Sequence, residues 1–405
     1  MTPGTNPSPD SGEVTLTAGE VTSQSLARGA VGTALLHVER AWTGSGSWDT
    51  AQARIRRVVA GPVDAAEHAG LYYGVPAVAF LLHAAAGRHP RYRAAAETMD
   101  DHVLRLAGRR LASAAIRSGR GEPAAFAEYD LFYGLTGIGA LLLRHRPDSD
   151  DLAGILRYVV TLVTRPRHED GIELPGWWVV HNPDEILPTP GGHANFGVAH
   201  GAAGLLSFIA LATLRGCVVD GQHEAIAVLT GWFDRWRLDG PDGPWWPRWI
   251  TREELRTGCP AQRQPGRASW CYGTVGIARA LQLAALATGD PRRQHAAEDA
   301  LAASLTDSQL DRITEPGLCH GIAGVYQTAY RASLDARGPV LARRLPALAD
   351  RLALHARSLG GDDGDGSEAD TGGLLTGRAG ADLALDTLRH SAPPHTGWDA
   401  CLLIT

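Results

Sequence analysis

At 405 residues, 44% of them hydrophobic, the chain is long enough for one large core or for two or three ordinary domains. Its net charge of −6 gives no electrostatic footprint for nucleic acid, whose binding domains are basic, and all 38 of its basic residues are arginine. Five cysteines (Cys217, Cys259, Cys271, Cys319, Cys401) are too few and too scattered for a disulfide framework, which leaves metal binding or catalysis as their use in a cytosolic chain.

Residues 1–20 are rich in Pro, Gly, Ser and Thr and predict a disordered tail. They lack the basic start and apolar run of a secretory signal, which points to a cytoplasmic protein. From residue 21 to 405 the chain reads as one unit built on a repeat. A bulky or polar residue, then Gly-x-x-Gly, then an apolar run recurs with first glycines at Gly29, Gly74, Gly134, Gly201, Gly273, Gly321 and Gly377. The copy at Gly74 is degenerate, with Ala77 in place of the second glycine. Spacings of roughly 45 to 72 residues suit two helices and their connections at 1.5 Å rise per residue.

The runs after the glycines, such as residues 137–146 and 276–287, are rich in Ala and Leu and predict buried, central helices. Stretches between motifs, such as 90–116, are apolar on one face only and predict an outer layer. Seven such hairpins closing on themselves give an all-α fold, an α/α toroid. Residues from about 165 to 196 break the helical character with turn formers, valines and adjacent Trp177 and Trp178. They predict a small strand-and-turn insertion that protrudes towards a partner. The segment Gly197–Leu214 is the most membrane-like, but His200 and Ser207 interrupt it, and it predicts a buried core helix. A second Trp-rich loop spans 240–267, and for both loops the aromatic residues suit either a binding surface or a plug for a helix end. The acidic, glycine-rich stretch near 360–373 reads as a solvated linker.

If the repeats are equivalent, the residue before each first glycine fills one recurring slot: Arg28, Tyr73, Tyr133, His200, Tyr272, His320 and Thr376. One place earlier stand Ala27, Tyr72, Phe132, Ala199, Cys271, Cys319 and Leu375. Cys271, Cys319 and His320 would then converge as two thiolates and an imidazole, a donor set that zinc accepts with a fourth position left open for catalysis. Such a thiolate-rich shell makes a weak water activator but suits lowering the pKa of a substrate thiol. His200, Asp130 and Arg267 stand nearby in register as acid–base or anion-holding groups. Each also has an ordinary structural use: Asp130 as a helix cap, Arg267 as a surface charge, His200 as a satisfied core residue.

The segments Arg267-Ala268-Ser269-Trp270-Cys271-Tyr272-Gly273 and Leu318-Cys319-His320-Gly321-Ile322-Ala323-Gly324 resemble the two zinc motifs of the lanthionine synthetase C family. Ala199-His200-Gly201, Tyr129-Asp130 and the closing Gly397-Trp398-Asp399-Ala400-Cys401-Leu402-Leu403 resemble further segments of it, so that the likeness spans 21–405. The resemblance implies a toroid of seven inner and seven outer helices with a small inserted domain, and zinc on Cys271, Cys319 and His320. It implies addition of peptide cysteine thiolates to dehydroalanine or dehydrobutyrine, closing lanthionine or methyllanthionine rings in a dehydrated precursor peptide of leader plus core. His200 and Asp130 would serve proton transfer, Arg267 would stabilise charge or orient Asp130, and Tyr272 would line the site. A separate dehydratase and a transporter complex would be partners, the latter placing the protein at the periphery of the membrane. Glutathione addition to dehydrated residues, or a non-catalytic peptide-binding toroid with structural zinc, are the alternatives.

Overall fold

Each of the seven glycine motifs opens a helix. The computed structural model of the chain describes Gly19 and residues 23–183, 186–358 and 373–405. The tail expected at 1–20 and the acidic linker near 360–373 fall almost wholly outside the described residues. In chain order the principal helices are α1 (Ala30–Thr43), α2 (Trp48–Val58), α3 (Val75–Ala86), α4 (Arg93–Gly119), α5 (Leu135–His145), α6 (Asp150–Thr164) and α7 (Ala202–Leu214). There follow α8 (Gln222–Arg235), α9 (Thr274–Thr288), α10 (Pro291–Ala303), α11 (Ile322–Asp335), α12 (Leu345–Ser358) and α13 (Arg378–His390).

The odd-numbered helices form a closed ring in which each packs on the next and α13 returns to α1. Each even-numbered helix packs outside the odd one before it, which makes an α/α toroid. Among the described residues the outer layer counts six helices, and α12 packs against both α11 and α13. The layers start differently. Three of the outer helices carry side-chain caps: Ser47 accepts from Thr50 N–H, Ser149 from Leu152 N–H, and Asp290 from the N–H groups of Arg292 and Arg293. Inner helices have the motif glycine at N-cap and no side-chain cap. Their first N–H groups instead meet the preceding loop, as when Gly276 donates to Ser269 O (3.4 Å) and Gly324 to Gly317 O (3.3 Å). That close approach explains the second glycine: a Cβ at Gly276 would stand 2.0 Å from Trp270 O, and one at Gly324 1.8 Å from Leu318 O.

Helix α7 is buried on every side through Ala212, as expected of the membrane-like segment. No helix among the described residues is long and apolar enough to cross a membrane. The C-terminus fills the middle of the ring. Trp270 Nε1 donates to Leu402 O (2.9 Å), Arg279 reaches Ile404 O (2.8 and 3.0 Å), and fully buried Asp399 accepts from Gln327 and Arg331.

Among the described residues six three-residue strands interrupt the helices. Strands β1 (Arg167–Glu169) and β2 (Ile172–Leu174) form one antiparallel hairpin, and β4 (Leu238–Gly240) and β5 (Gly243–Trp245) another. Strand β3 (His193–Asn195) pairs with β6 (Trp249–Thr251), tying the two Trp-rich loops together. Trp177, Trp178, Trp245 and Trp246 are all buried, which decides for the plug over an exposed aromatic surface.

One buried and one half-buried histidine make folding pH-dependent. His145 stacks on His83 at 3.8 Å, and burial, then the neighbouring His83, pushes its pKa down to about 2. His193 is pushed down to about 4, again by burial first and then by His181. Both bind a proton more readily when unfolded, so their contribution is present above about pH 6.5 and is lost as pH falls towards the folded values. Between pH 6.5 and 4 stability should fall by about 1.4 kcal/mol per pH unit for each. Thermal melts from pH 7.5 to 4.5 measure that slope, and His145→Phe should flatten it. An unchanged slope would assign the acid sensitivity to other groups.

Candidate metal centre and its surroundings

The loops that lead into the inner helices are joined edge to edge by backbone hydrogen bonds. Leu26 N–H donates to Tyr72 O (2.9 Å), Leu375 to Ala27 O (3.0 Å), Cys319 to Leu375 O (2.9 Å) and Cys271 to Cys319 O (3.2 Å). On the far side Val198 donates to Cys271 O (2.9 Å) and Leu131 to Ala199 O (3.2 Å). This circle of contacts holds the repeat slots side by side at one end of the toroid. It brings Cys271, from the loop before α9, against Cys319 and His320, from the loop before α11.

One ligand atom from each of Cys271, Cys319 and His320 lies within 4.8 Å of the other two. Cys271 is buried, and Cys319 and His320 are half-buried. The Cys271 thiol is pushed below its ordinary range, first by a hydrogen bond from Cys319 and then, against the cost of burial, by His320. The same contact and burial push Cys319 up, and Cys271 raises His320. The three groups share their protons, with Cys271 as the thiolate, and holding a metal would require Cys319 and His320 to give theirs up.

Glu315 joins the site from the same loop, and sequence reasoning missed it. Its Oε2 lies 2.5 Å from His320 Nε2, and its Oε1 accepts from Arg267 Nη1 at 3.2 Å. The signal was in the repeat register, because Glu315 precedes His320 by the same interval that separates Arg267 from Tyr272. Arg267 pairs with Glu315 and not with Asp130, which corrects the expectation that it orients the aspartate.

Asp130 caps a helix start and also holds His200. Its fully buried carboxylate accepts at Oδ1 from Tyr133 N–H (2.6 Å) and Gly134 N–H (2.9 Å), holding the start of α5. Its Oδ2 lies 2.5 Å from His200 Nδ1. The His200 ring is further fixed between Phe126 and Phe132, each with its centroid 5.0 Å away. Tyr272 links the two halves: its ring centroid is 6.1 Å from that of His200, and it follows Cys271 directly. Burial, then the Cys271 charge, pushes the Tyr272 hydroxyl well up, so it stays protonated. Cys271, Tyr272, His320 and Arg267 line a groove of about 790 Å³ that opens to solvent.

The sequence profile of the family described as lanthionine synthetase C-like protein matches residues 20–403. Among solved structures, the fold is similar to that of a nisin cyclase with a TM-score of 0.78 at 19% identity, covering 95% of this chain and 93% of that one. The comparison with curated proteins gives no match.

Proposed function

The chain belongs to the lanthionine synthetase C-like family, and from that premise we propose that it is a zinc-dependent lanthipeptide cyclase. Its substrate is a dehydrated peptide, and its product carries lanthionine or methyllanthionine rings. The observation that carries this reading is the convergence of Cys271, Cys319 and His320 beside an open groove. Two thiols and an imidazole are donors that zinc accepts. Among the described residues no fourth Cys, His, Asp or Glu joins the set, which suits a site with a position left for substrate. The chemistry that zinc supplies when bound there is to hold a peptide cysteine as its thiolate at neutral pH while leaving the sulfur nucleophilic.

The surrounding residues do the rest. The groove aligns the alkene with the sulfur, so that the carbon–sulfur bond forms as the alkene π bond breaks and its electrons pass to the α-carbon and carbonyl. Arg267, held by Glu315, offsets that negative charge. His200, fixed at Nδ1 by Asp130, keeps Nε2 for proton transfer to the α-carbon. Tyr272 lines the space between the sulfur and this proton carrier. One proton leaves the thiol and one arrives at carbon, so ring closure is an isomerisation.

The test uses a dehydrated peptide that contains cysteine. Its mass should stay constant with enzyme while its thiol ceases to react with an alkylating reagent. Because tethered alkene and thiol react slowly unaided, rates and ring positions are compared with an enzyme-free control. Equal alkylation with and without enzyme, across leader-bearing peptides, would leave a non-catalytic peptide-binding toroid in place of the cyclase.

A further inference from the structure

The groove beside the metal centre is lined by four arginines, Arg248, Arg263, Arg267 and Arg312, and by no carboxylate. This stands out in a chain whose net charge is −6. The acidic residues on the neighbouring segments are already engaged. Glu315 holds Arg267 and His320, Asp311 pairs with Arg351 (2.7 Å), Glu253 with Arg256 (2.6 Å), and Glu254 closes the capping box with Thr251. Arg248, Arg263 and Arg312 are exposed and make no ion pair among the described residues. Two of the three are nevertheless fixed in place. Arg248 lies over the Trp249 ring at 4.7 Å, and Arg312 Nη1 donates to Pro265 O (3.1 Å) and Gln309 Oε1 (3.3 Å). A guanidinium held by a ring face or by one nitrogen keeps its other donors for a planar anion, and less side-chain freedom is lost when it binds one.

Resting on the cyclase reading of the adjacent centre, we propose that this groove is a subsite for an acidic segment of the peptide substrate, with Arg248, Arg263 and Arg312 recognising carboxylates near the reacting cysteine. Bidentate guanidinium–carboxylate contacts there set which stretch of a flexible peptide lies across the metal centre, and so which cysteine is presented. The surface is electrostatic, so its selectivity weakens with salt.

The experiment uses the zinc-loaded full chain and two labelled cysteine peptides that lack dehydrated residues and differ only in carrying three glutamates or three glutamines beside the cysteine. Fluorescence anisotropy should give about tenfold tighter binding of the glutamate peptide at low salt, shrinking as salt rises. In the triple variant Arg248→Gln, Arg263→Gln, Arg312→Gln the glutamate peptide should bind no better than the glutamine one. Equal affinities in the wild type, or a preference that survives the triple substitution, would overturn the subsite. Should the triple variant fail to fold, Arg263→Gln alone, whose exposed side chain has no hydrogen bond among the described residues, must reduce the preference. Because neither peptide can cyclise, this result is independent of the ring-closure assay, whose failure would count against the cyclase alone.

Discussion

Purified protein should carry about one zinc per chain, and Cys271→Ala or Cys319→Ala should each remove it and reduce ring closure to the enzyme-free rate. Losing one of three protein ligands leaves too few donors for a tight site. The fold should survive, because the loops that present these cysteines are held by backbone bonds that alanine keeps, among them Cys271 N–H to Cys319 O and Cys319 N–H to Leu375 O. Elemental analysis reads the metal, and circular dichroism with a thermal melt reads the fold. Glu315→Ala belongs in the same series. A carboxylate against the second nitrogen of a ligating imidazole fixes the ring, and its loss commonly weakens metal affinity by about 10- to 100-fold. Competition with a chelator should therefore place Glu315→Ala between the wild type and the cysteine variants. Full zinc retention in both cysteine variants would remove the assigned site.

The repeat was legible because it answers to a strong local constraint. A side chain at Gly276 or Gly324 would collide with the loop that folds back over the helix start, so the spacing of glycine pairs marks where inner helices begin. Aligning the copies then aligned the slots, and Cys271, Cys319 and His320 followed from that register. The same alignment contained Glu315, which was overlooked because a lone glutamate in a turn carries no chemical signature. Pairings between side chains were less readable. Arg267 has two acidic groups within the same circle of loops, Asp130 and Glu315, and only the directions of the side chains decide between them.

The insertion was visible as a change of character at 165–196 but its pairing was not. Strands of three residues carry too short an alternation to specify a partner, and β3 finds β6 more than fifty residues away. The Trp pairs were ambiguous for a related reason, since a tryptophan that plugs a helix layer and one that greets a ligand look alike until burial is known. The C-terminal segment was recognisable as a motif. Its place in the middle of the ring depends on Asp399, Leu402 and Ile404 meeting partners on helices and a loop distant in sequence.

His200→Ala should retain zinc and bind peptide but slow ring closure by about 10²- to 10⁴-fold, the usual worth of a positioned acid or base. The side chain lies outside the metal set, and its ring is fixed by Asp130 and by the flanking Phe126 and Phe132. A purely structural His200 would predict a different outcome, in which the variant melts earlier while the rate per folded molecule holds. Asp130→Asn separates the two uses of the aspartate. Its Oδ1 can still accept from the Tyr133 and Gly134 N–H groups, so the start of α5 should persist. Its amide, however, would donate to His200 Nδ1, where the carboxylate now accepts, forcing the ring proton to Nε2 and withdrawing the charge that steadies an imidazolium. The rate should therefore fall with little change in melting temperature. Wild-type rates in His200→Ala, or zinc loss with it, would show that proton transfer lies elsewhere. An unchanged rate in Asp130→Asn would confine the aspartate to capping α5.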